Sequence, residues 1–348
     1  MHEACAHSQV SRQLHGLGSD RHTVRSSYPR CEGSEPSALR GPVQRSAFSS
    51  GSRRRGSSRR REPVYPIAMP LDPILSGAAL RSLPSSARLV LLDCRVSEKV
   101  YRAGHLPEAW HAQLERDLSA PAPDAAHGGR HPLPDIHAFA GTLGRWGVTA
   151  NTHVVAYDDQ QGANAAARLW WLLKAVGHEH VQVVDGGLPA LLAAGFTLTS
   201  AEPAPLSEAN PYPVDLWQRA RADIAEVDAA RQATDRVVID VRAATRYRGD
   251  HEPIDPVAGH IPGAHNLPLT DNLTLEGTFK TAQQLREQYT AAFAGITPES
   301  VIVHCGSGVT ACHSLLALER AELHGAKLYV GSWSEWCRNR ELPREPYA

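Results

Sequence analysis

Nowhere in the 348 residues do eighteen apolar residues run together, the length a bilayer-spanning helix requires. No apolar stretch follows the first methionine as a secretory signal would demand. Cysteine is scarce. Its six copies, at positions 5, 31, 94, 305, 312 and 337, are too few and too scattered for a disulfide scaffold. A reducing compartment, and so a cytoplasmic protein, is expected. Lysine is missing altogether from residues 1–68, where twelve arginines and five acidic residues leave a net charge of +7. The rest of the chain carries 24 basic and 32 acidic residues. A mildly acidic body excludes a dedicated nucleic-acid binder.

Residues 1–68 also lack any hydrophobic period, and their Arg53–Arg55 and Arg59–Arg61 blocks lie amid serine and glycine. They read as a disordered basic leader. It is a basic tail for acidic partners, an organelle transit peptide, or translated sequence upstream of a true start at Met69. The last reading is favoured, because nothing in the segment can pack against a core.

Beyond the leader the chain repeats itself. Leu91-Leu92-Asp93-Cys94-Arg95 echoes Val238-Ile239-Asp240-Val241-Arg242, and Gly104-His105-Leu106-Pro107 echoes Gly259-His260-Ile261-Pro262. His153–Asp158 echoes Val301–Cys305, and Val184-Asp185-Gly186-Gly187 echoes Tyr329-Val330-Gly331-Ser332. Four matches in one order at nearly constant offset mean two copies of one domain. In each copy, short Val- and Ile-rich runs alternate with helical patterns. Strands are expected near 89–93, 153–157 and 181–184, and near 237–241, 301–304 and 327–330. Helices are expected near 135–145, 163–176, 281–293 and 309–323. The fold class is therefore α/β, two tandem domains each with a parallel sheet flanked by helices. The first spans 71–200 and the second 223–347, with a Pro-rich linker, 201–222, between them.

The chemistry concentrates in His304-Cys305-Gly306-Ser307-Gly308-Val309-Thr310-Ala311-Cys312-His313. In a parallel α/β sheet, reactive groups sit beyond the carboxyl ends of the strands. Cys305 falls there. Gly306-Ser307-Gly308 permits a tight turn with inward amides, and the following helix adds its free N–H groups and positive dipole end. Such a nest favours a thiolate and an anionic adduct on it. A zinc site from His304, Cys305, Cys312 and His313 lacks the usual ligand spacing. A phosphate loop would need Lys followed by Ser or Thr. A cysteine phosphatase would need an arginine where Ala311 stands. No metal or other cofactor is expected.

The CGSGVTAC loop, GHIPGA at 259–264, DVR at 240–242 and GSWSEW at 331–336 together resemble the tandem rhodanese family of sulfurtransferases, from about residue 70 onward. The resemblance implies a catalytic second domain and an inactive first one, where Asp158 takes the place of Cys305. It implies a ping-pong reaction through a Cys305 persulfide cradled by the amides of Gly306, Ser307, Gly308, Val309 and Thr310. The acceptor would be cyanide or a thiol, with a thioredoxin-like reductant as a further partner. The thiosulfate branch carries an arginine and a lysine where Gly306 and Ser307 stand. The neutral pair therefore points to the mercaptopyruvate branch, with Ser307 at the ketone or enolate oxygen.

Arg246 matches the family's first carboxylate-binding arginine. The second has no counterpart in Glu252-Pro253-Ile254-Asp255-Pro256, and Arg248 is the nearest substitute. His105 matches a histidine that the first domain contributes. Asp240, with Arg242, is expected to support the loop, and Trp333 and Trp336 to flank the pocket. The alternatives are a thiosulfate-preferring rhodanese, or a persulfide carrier or redox sensor without turnover.

Overall fold

The computed structural model describes residues 71–84, 88–205 and 209–345. The basic segment 1–68, with the expectations attached to it, lies outside the described residues.

Val- and Ile-rich runs form the central strands because both faces of each are covered. The first sheet holds β1 (Ile74–Leu75), β2 (Leu89–Asp93), β3 (Trp110–His111), β4 (His153–Tyr157) and β5 (Val181–Val184). Its order is β1-β5-β4-β2-β3, every pair parallel. The second holds β6 (Arg221–Ala222), β7 (Val237–Asp240), β8 (His265–Asn266), β9 (Val301–His304) and β10 (Lys327–Tyr329). Its order, β6-β10-β9-β7-β8, is the same topology, again all parallel. The registers agree as well. Asp93 lies opposite Tyr157 and Asp240 opposite His304. The central strands β4 and β9 thus deliver Asp158 and Cys305 to equivalent places.

Two of the principal helices begin at side-chain caps. The Asp135 carboxylate accepts from the His137 and Ala138 amides at the head of helix Ile136–Arg145. Thr281 and Gln284 form a capping box on helix Ala282–Phe293. Helix Ala165–Ala175 is buried at ten of its eleven positions. It packs on helix Ala311–Arg320 of the second copy, and one core runs through both, including Trp170, Trp171, Ile239 and Leu316. Each such side chain contributes about 1.5–3 kcal/mol over exposure. The copies are therefore fused through their cores.

The two-residue strands β1, β3, β6 and β8 escape the sequence reading, since two residues carry no period. One of them corrects the linker: Arg221–Ala222, assigned to it by sequence, is β6, the edge of the second sheet beside β10. Upstream, the linker is tied to the first copy. The Tyr212 amide donates to the Ala140 carbonyl (3.0 Å) and the Gln218 amide to that of Ala175 (2.7 Å).

Candidate active site

Cys305 follows β9 and is 1% exposed. Its amide donates to the Ser332 hydroxyl (3.2 Å), and its carbonyl accepts from the Trp333 amide (3.0 Å). The Gly306 carbonyl accepts from the Ser334 amide (2.9 Å). Helix Ser332–Trp336 thus clamps the start of the loop by its first turn. Gly308 turns the chain at φ +74°, where an added Cβ would press into the Val330 carbonyl. The amides of residues 306–310 donate to no described residue. The first copy shows what this turn does with its amides. There the Asp158 carboxyl accepts from the amides of Gln160 (2.9 Å), Gly162 (2.8 Å), Asn164 (3.1 Å) and Ala166 (3.3 Å). In the first copy the strand–loop–helix turn thus gathers N–H groups around a carboxyl at the end of the central strand, and Cys305 stands at the equivalent place in the second.

The other polar side chains of the motif are engaged separately. His304 Nδ1 lies 3.1 Å from the Cys305 carbonyl, and its Nε2 lies 3.8 Å from Asp240. Cys312 donates to the Gly308 carbonyl (3.4 Å). His313 stacks at a tilt on Phe279, 4.4 Å between ring centres.

Two arginines stand over the residue after Cys305. A Cβ built on Gly306 would lie 3.3 Å from Arg130 Nη2 and 3.4 Å from Arg246 Nη1. Arg130 belongs to the first copy and Arg246 to the second. Each is anchored from behind. Arg246 donates to Glu252 through Nη2 (2.7 Å) and Nε (3.1 Å). Arg130 donates through Nη1 to Asp255, which also accepts from Arg338 (2.9 Å). Burial works against the Glu252 carboxylate, but Arg246 and two backbone amides hold it below the usual range. The nitrogens nearest Gly306, Arg130 Nη2 and Arg246 Nη1, donate to no described residue. Paired forks of this kind suit a carboxylate.

Ser307 meets a third contribution from the first copy. Its hydroxyl lies 2.7 Å from His131 Nδ1, and His131 Nε2 lies 2.9 Å from Glu115 Oε1. With Nε2–H donating to Glu115, Nδ1 is left to accept the Ser307 proton. Burial pushes His131 below the ordinary imidazole range, against the pull of Glu115, so the ring is neutral at pH 7. The segment carrying Arg130 and His131 is seated by backbone. The Gly128 amide donates to Glu335 (2.7 Å) and the Arg130 amide to the Ser334 hydroxyl (3.1 Å). Gly129, at φ +77°, lies so close to the Gly331 carbonyl that a Cβ would collide with it.

The structure brings together Cys305, Gly306, Ser307, Gly308 and Arg246, with Val309 and Thr310 leading into the helix. It moves other expected residues elsewhere. His105 is not the first-copy histidine at the loop. It is fully buried, with Nδ1 on the Tyr101 carbonyl (2.9 Å), Nε2 on that of Ala201 (3.1 Å), and its ring stacked on Tyr101. His260 repeats this with Tyr247 in the second copy, so the motif is structural in both. Arg248 points to solvent, paired with Asp250 (2.8 Å), and does not replace the missing arginine. Trp333 and Trp336 are core rather than pocket walls: both are fully buried, donating to the Val257 and Pro343 carbonyls.

Asp240 accepts from Arg242 Nη2 (2.6 Å), and Asp93 accepts from Arg95 identically in the first copy. Its role is to brace the strand end. Burial works against the Asp240 carboxylate, but Arg242, by its charge and its hydrogen bonds, holds it below the usual range. Sequence reasoning missed Glu115, Arg130 and His131. The available signal was Gly128-Gly129-Arg130-His131, a glycine-rich polar segment without a counterpart in the second copy.

The rhodanese-like domain family model matches residues 76–194 and again 223–339. A Pseudomonas aeruginosa protein named "Probable 3-mercaptopyruvate sulfurtransferase" is 42% identical over 287 residues, covering 79% of this chain and 97% of the relative. The thiosulfate sulfurtransferase of Gallus gallus is 32% identical over 269 residues, covering 75% and 87%. Among solved structures, the 3-mercaptopyruvate sulfurtransferase of Leishmania major superposes with a TM-score of 0.67 at 29% identity, covering 77% of this chain and 75% of that one.

Proposed function

This chain belongs to the rhodanese-like family, in two-domain form, and from that premise we propose a sulfurtransferase that carries sulfur as a persulfide on Cys305, with 3-mercaptopyruvate as preferred donor. One observation carries the reading. Cys305 follows a central strand and opens a loop whose five amides, 306–310, donate to no described residue, with two guanidinium forks over the adjacent glycine.

The donor's carboxylate lies on Arg130 and Arg246, which sets its sulfur over Cys305. The Cys305 thiolate attacks that sulfur, and the carbon–sulfur bond breaks with its electrons passing to the enolate of pyruvate. The proton of the donor thiol moves through Ser307 to neutral His131, is balanced there by Glu115, and returns to the enolate carbon. The products are pyruvate and a Cys305 persulfide anion, whose outer sulfur accepts from the loop amides. Cyanide or a thiol then attacks the outer sulfur and leaves as thiocyanate or a new persulfide, restoring the Cys305 thiolate. A thioredoxin-like dithiol fits as acceptor. The setting is the cytoplasm, where the four described cysteines remain free thiols.

A thiosulfate preference is the second reading, favoured by the same two arginines, since they supply cationic charge that the neutral loop lacks. Steady-state kcat/KM with the two donors and cyanide decides. Mercaptopyruvate is expected to lead. A higher value for thiosulfate overturns the donor assignment alone. Absence of a persulfide on Cys305 after either donor overturns the function.

A further inference from the structure

Arg168 is a charged side chain that the proposed reaction leaves unused. It lies in helix Ala165–Ala175 and is 0% exposed. Its guanidinium donates to carbonyl oxygens, Nη1 to Gly308 (3.1 Å) and Nη2 to His131 (3.1 Å), with longer contacts to Leu118 and Pro132 (3.5 Å each), and the Cys312 thiol lies beside it. No carboxylate among the described residues pairs with it. A buried cation without an anion is strongly unfavourable, and arginine cannot shed its proton to escape.

The ionisable groups whose field favours its charge are Cys312 and Cys305. Burial pushes the Cys312 thiol up to about 12, so Cys312 keeps its proton. Cys305 remains. The other cations around the loop are already matched: Arg246 by Glu252, Arg130 by Asp255, and Arg242 by Asp240. His304, beside Cys305, is pushed below the imidazole range by burial and faces Asp240. Arg168 is the unmatched charge among them, and it bonds directly to the loop carrying Cys305.

We propose that Arg168 is a positioning residue lent by the first copy. Its fixed charge is the counter-charge of the sulfur anion on Cys305, and its bonds to Gly308 and His131 hold the loop against the proton relay. The persulfide half of this role rests on the sulfurtransferase reading; the thiolate half does not.

The experiment is iodoacetamide alkylation of Cys305 against pH, followed by peptide mass spectrometry, in wild type, Arg168→Gln and Arg168→Lys. Glutamine can keep the bonds to the carbonyls without the charge, whereas lysine keeps the charge with a poorer clasp. In Arg168→Gln the midpoint is expected to rise by about one unit, with alkylation at pH values well below the midpoint slowed about tenfold. In Arg168→Lys the midpoint should stay within a few tenths of wild type, even with a lower Tm. A glutamine profile superimposed on wild type overturns the proposal. So does a lysine profile displaced as far as glutamine's, which would make Arg168 a clasp only. Should Arg168→Gln not fold, the lysine variant decides: a retained midpoint supports the charge, and one that moves together with Tm overturns it. Alkylation reads the Cys305 anion whether or not sulfur is transferred. Failure of the sulfurtransferase reading would appear separately, as no persulfide in wild type.

Discussion

Position in the fold sorts the four described cysteines, all of them buried. Burial pushes up the thiols of Cys94, Cys312 (to about 12) and Cys337 (to about 11), while Cys305 follows a central strand and opens an amide-rich loop. Cys305→Ser should abolish sulfur transfer to cyanide, and Cys94→Ser and Cys312→Ala should retain it. Mass spectrometry after donor treatment should find one added sulfur, on Cys305. Transfer surviving in Cys305→Ser would end the reading. Arg246→Ala removes a charge-assisted fork, a loss of ~1.5–3 kcal/mol, or roughly 10- to 150-fold in kcat/KM for mercaptopyruvate. It also strips Glu252 of its main partner beside an anionic donor, which places the loss toward the upper end. Arg130→Ala should act in the same direction. His131 serves as a base only while neutral. Because burial pushes its value down, kcat should hold below the ordinary imidazole range and fall only as pH drops further. In His131→Asn that acid limb should vanish and kcat fall by about 10²- to 10⁴-fold, with KM little changed. An unaltered pH profile in this variant would remove His131 from the relay.

At the scale of elements, the loop after β9 depends on backbone that only glycine adopts easily. Gly308→Ala adds strain at φ +74° and a clash with the Val330 carbonyl. Gly295→Ala is the matched control, since φ is +89° and nothing lies within 4 Å of the added methyl. The control should cost about 1 kcal/mol. Gly308→Ala should cost more in urea unfolding and remove transfer, and equal costs would show that the loop tolerates the methyl. The central strands and principal helices were legible in the sequence because buried parallel strands are apolar runs rich in Val and Ile, and helical patterns alternate with them. The edge strands were not, being two residues long. Within the site, legibility followed locality. Cys305, its glycines and Arg246 sit in short contiguous motifs. His131 reaches Ser307 from 176 residues away, in a loop with no period to read. His105 matched a histidine that the family's first domain contributes, yet its motif recurs at Gly259-His260-Ile261-Pro262 with the same carbonyl contact and ring stacking, which marks it as structural. Glu252 and Asp255, noticed only for the arginine absent around them, are the carboxylates that hold Arg246 and Arg130.

At the scale of the whole molecule, the copy whose loop carries Asp158 supplies Glu115, Arg130, His131 and Arg168 to the copy whose loop carries Cys305, across a core common to both. The two should therefore unfold together, and acid should drive it. His178 in the first copy and His313 in the second are 1% and 0% exposed, and burial pushes them down to about 4 and about 3. In the unfolded chain each binds a proton from about pH 6.5 downward. Below that pH the unfolded state holds more protons than the native one, so stability falls as pH falls, until the native values are reached. Each histidine costs about 1.4 kcal/mol per pH unit, so at pH ~5 the pair has cost about 4 kcal/mol, a large part of a typical 5–15 kcal/mol. Asp240 and Glu252, both held below the carboxylate range, add their loss only further down, near and below pH ~4. Urea unfolding between pH 7 and 5 should show this slope in a single transition. His313→Gln, whatever its cost at pH 7, should lower the slope by about 1.4 kcal/mol per pH unit, because its proton is no longer taken up on unfolding. A stability that stays flat over this range would mean that the buried rings are protonated in the native state, and two separated transitions would mean that the shared core does not couple the copies.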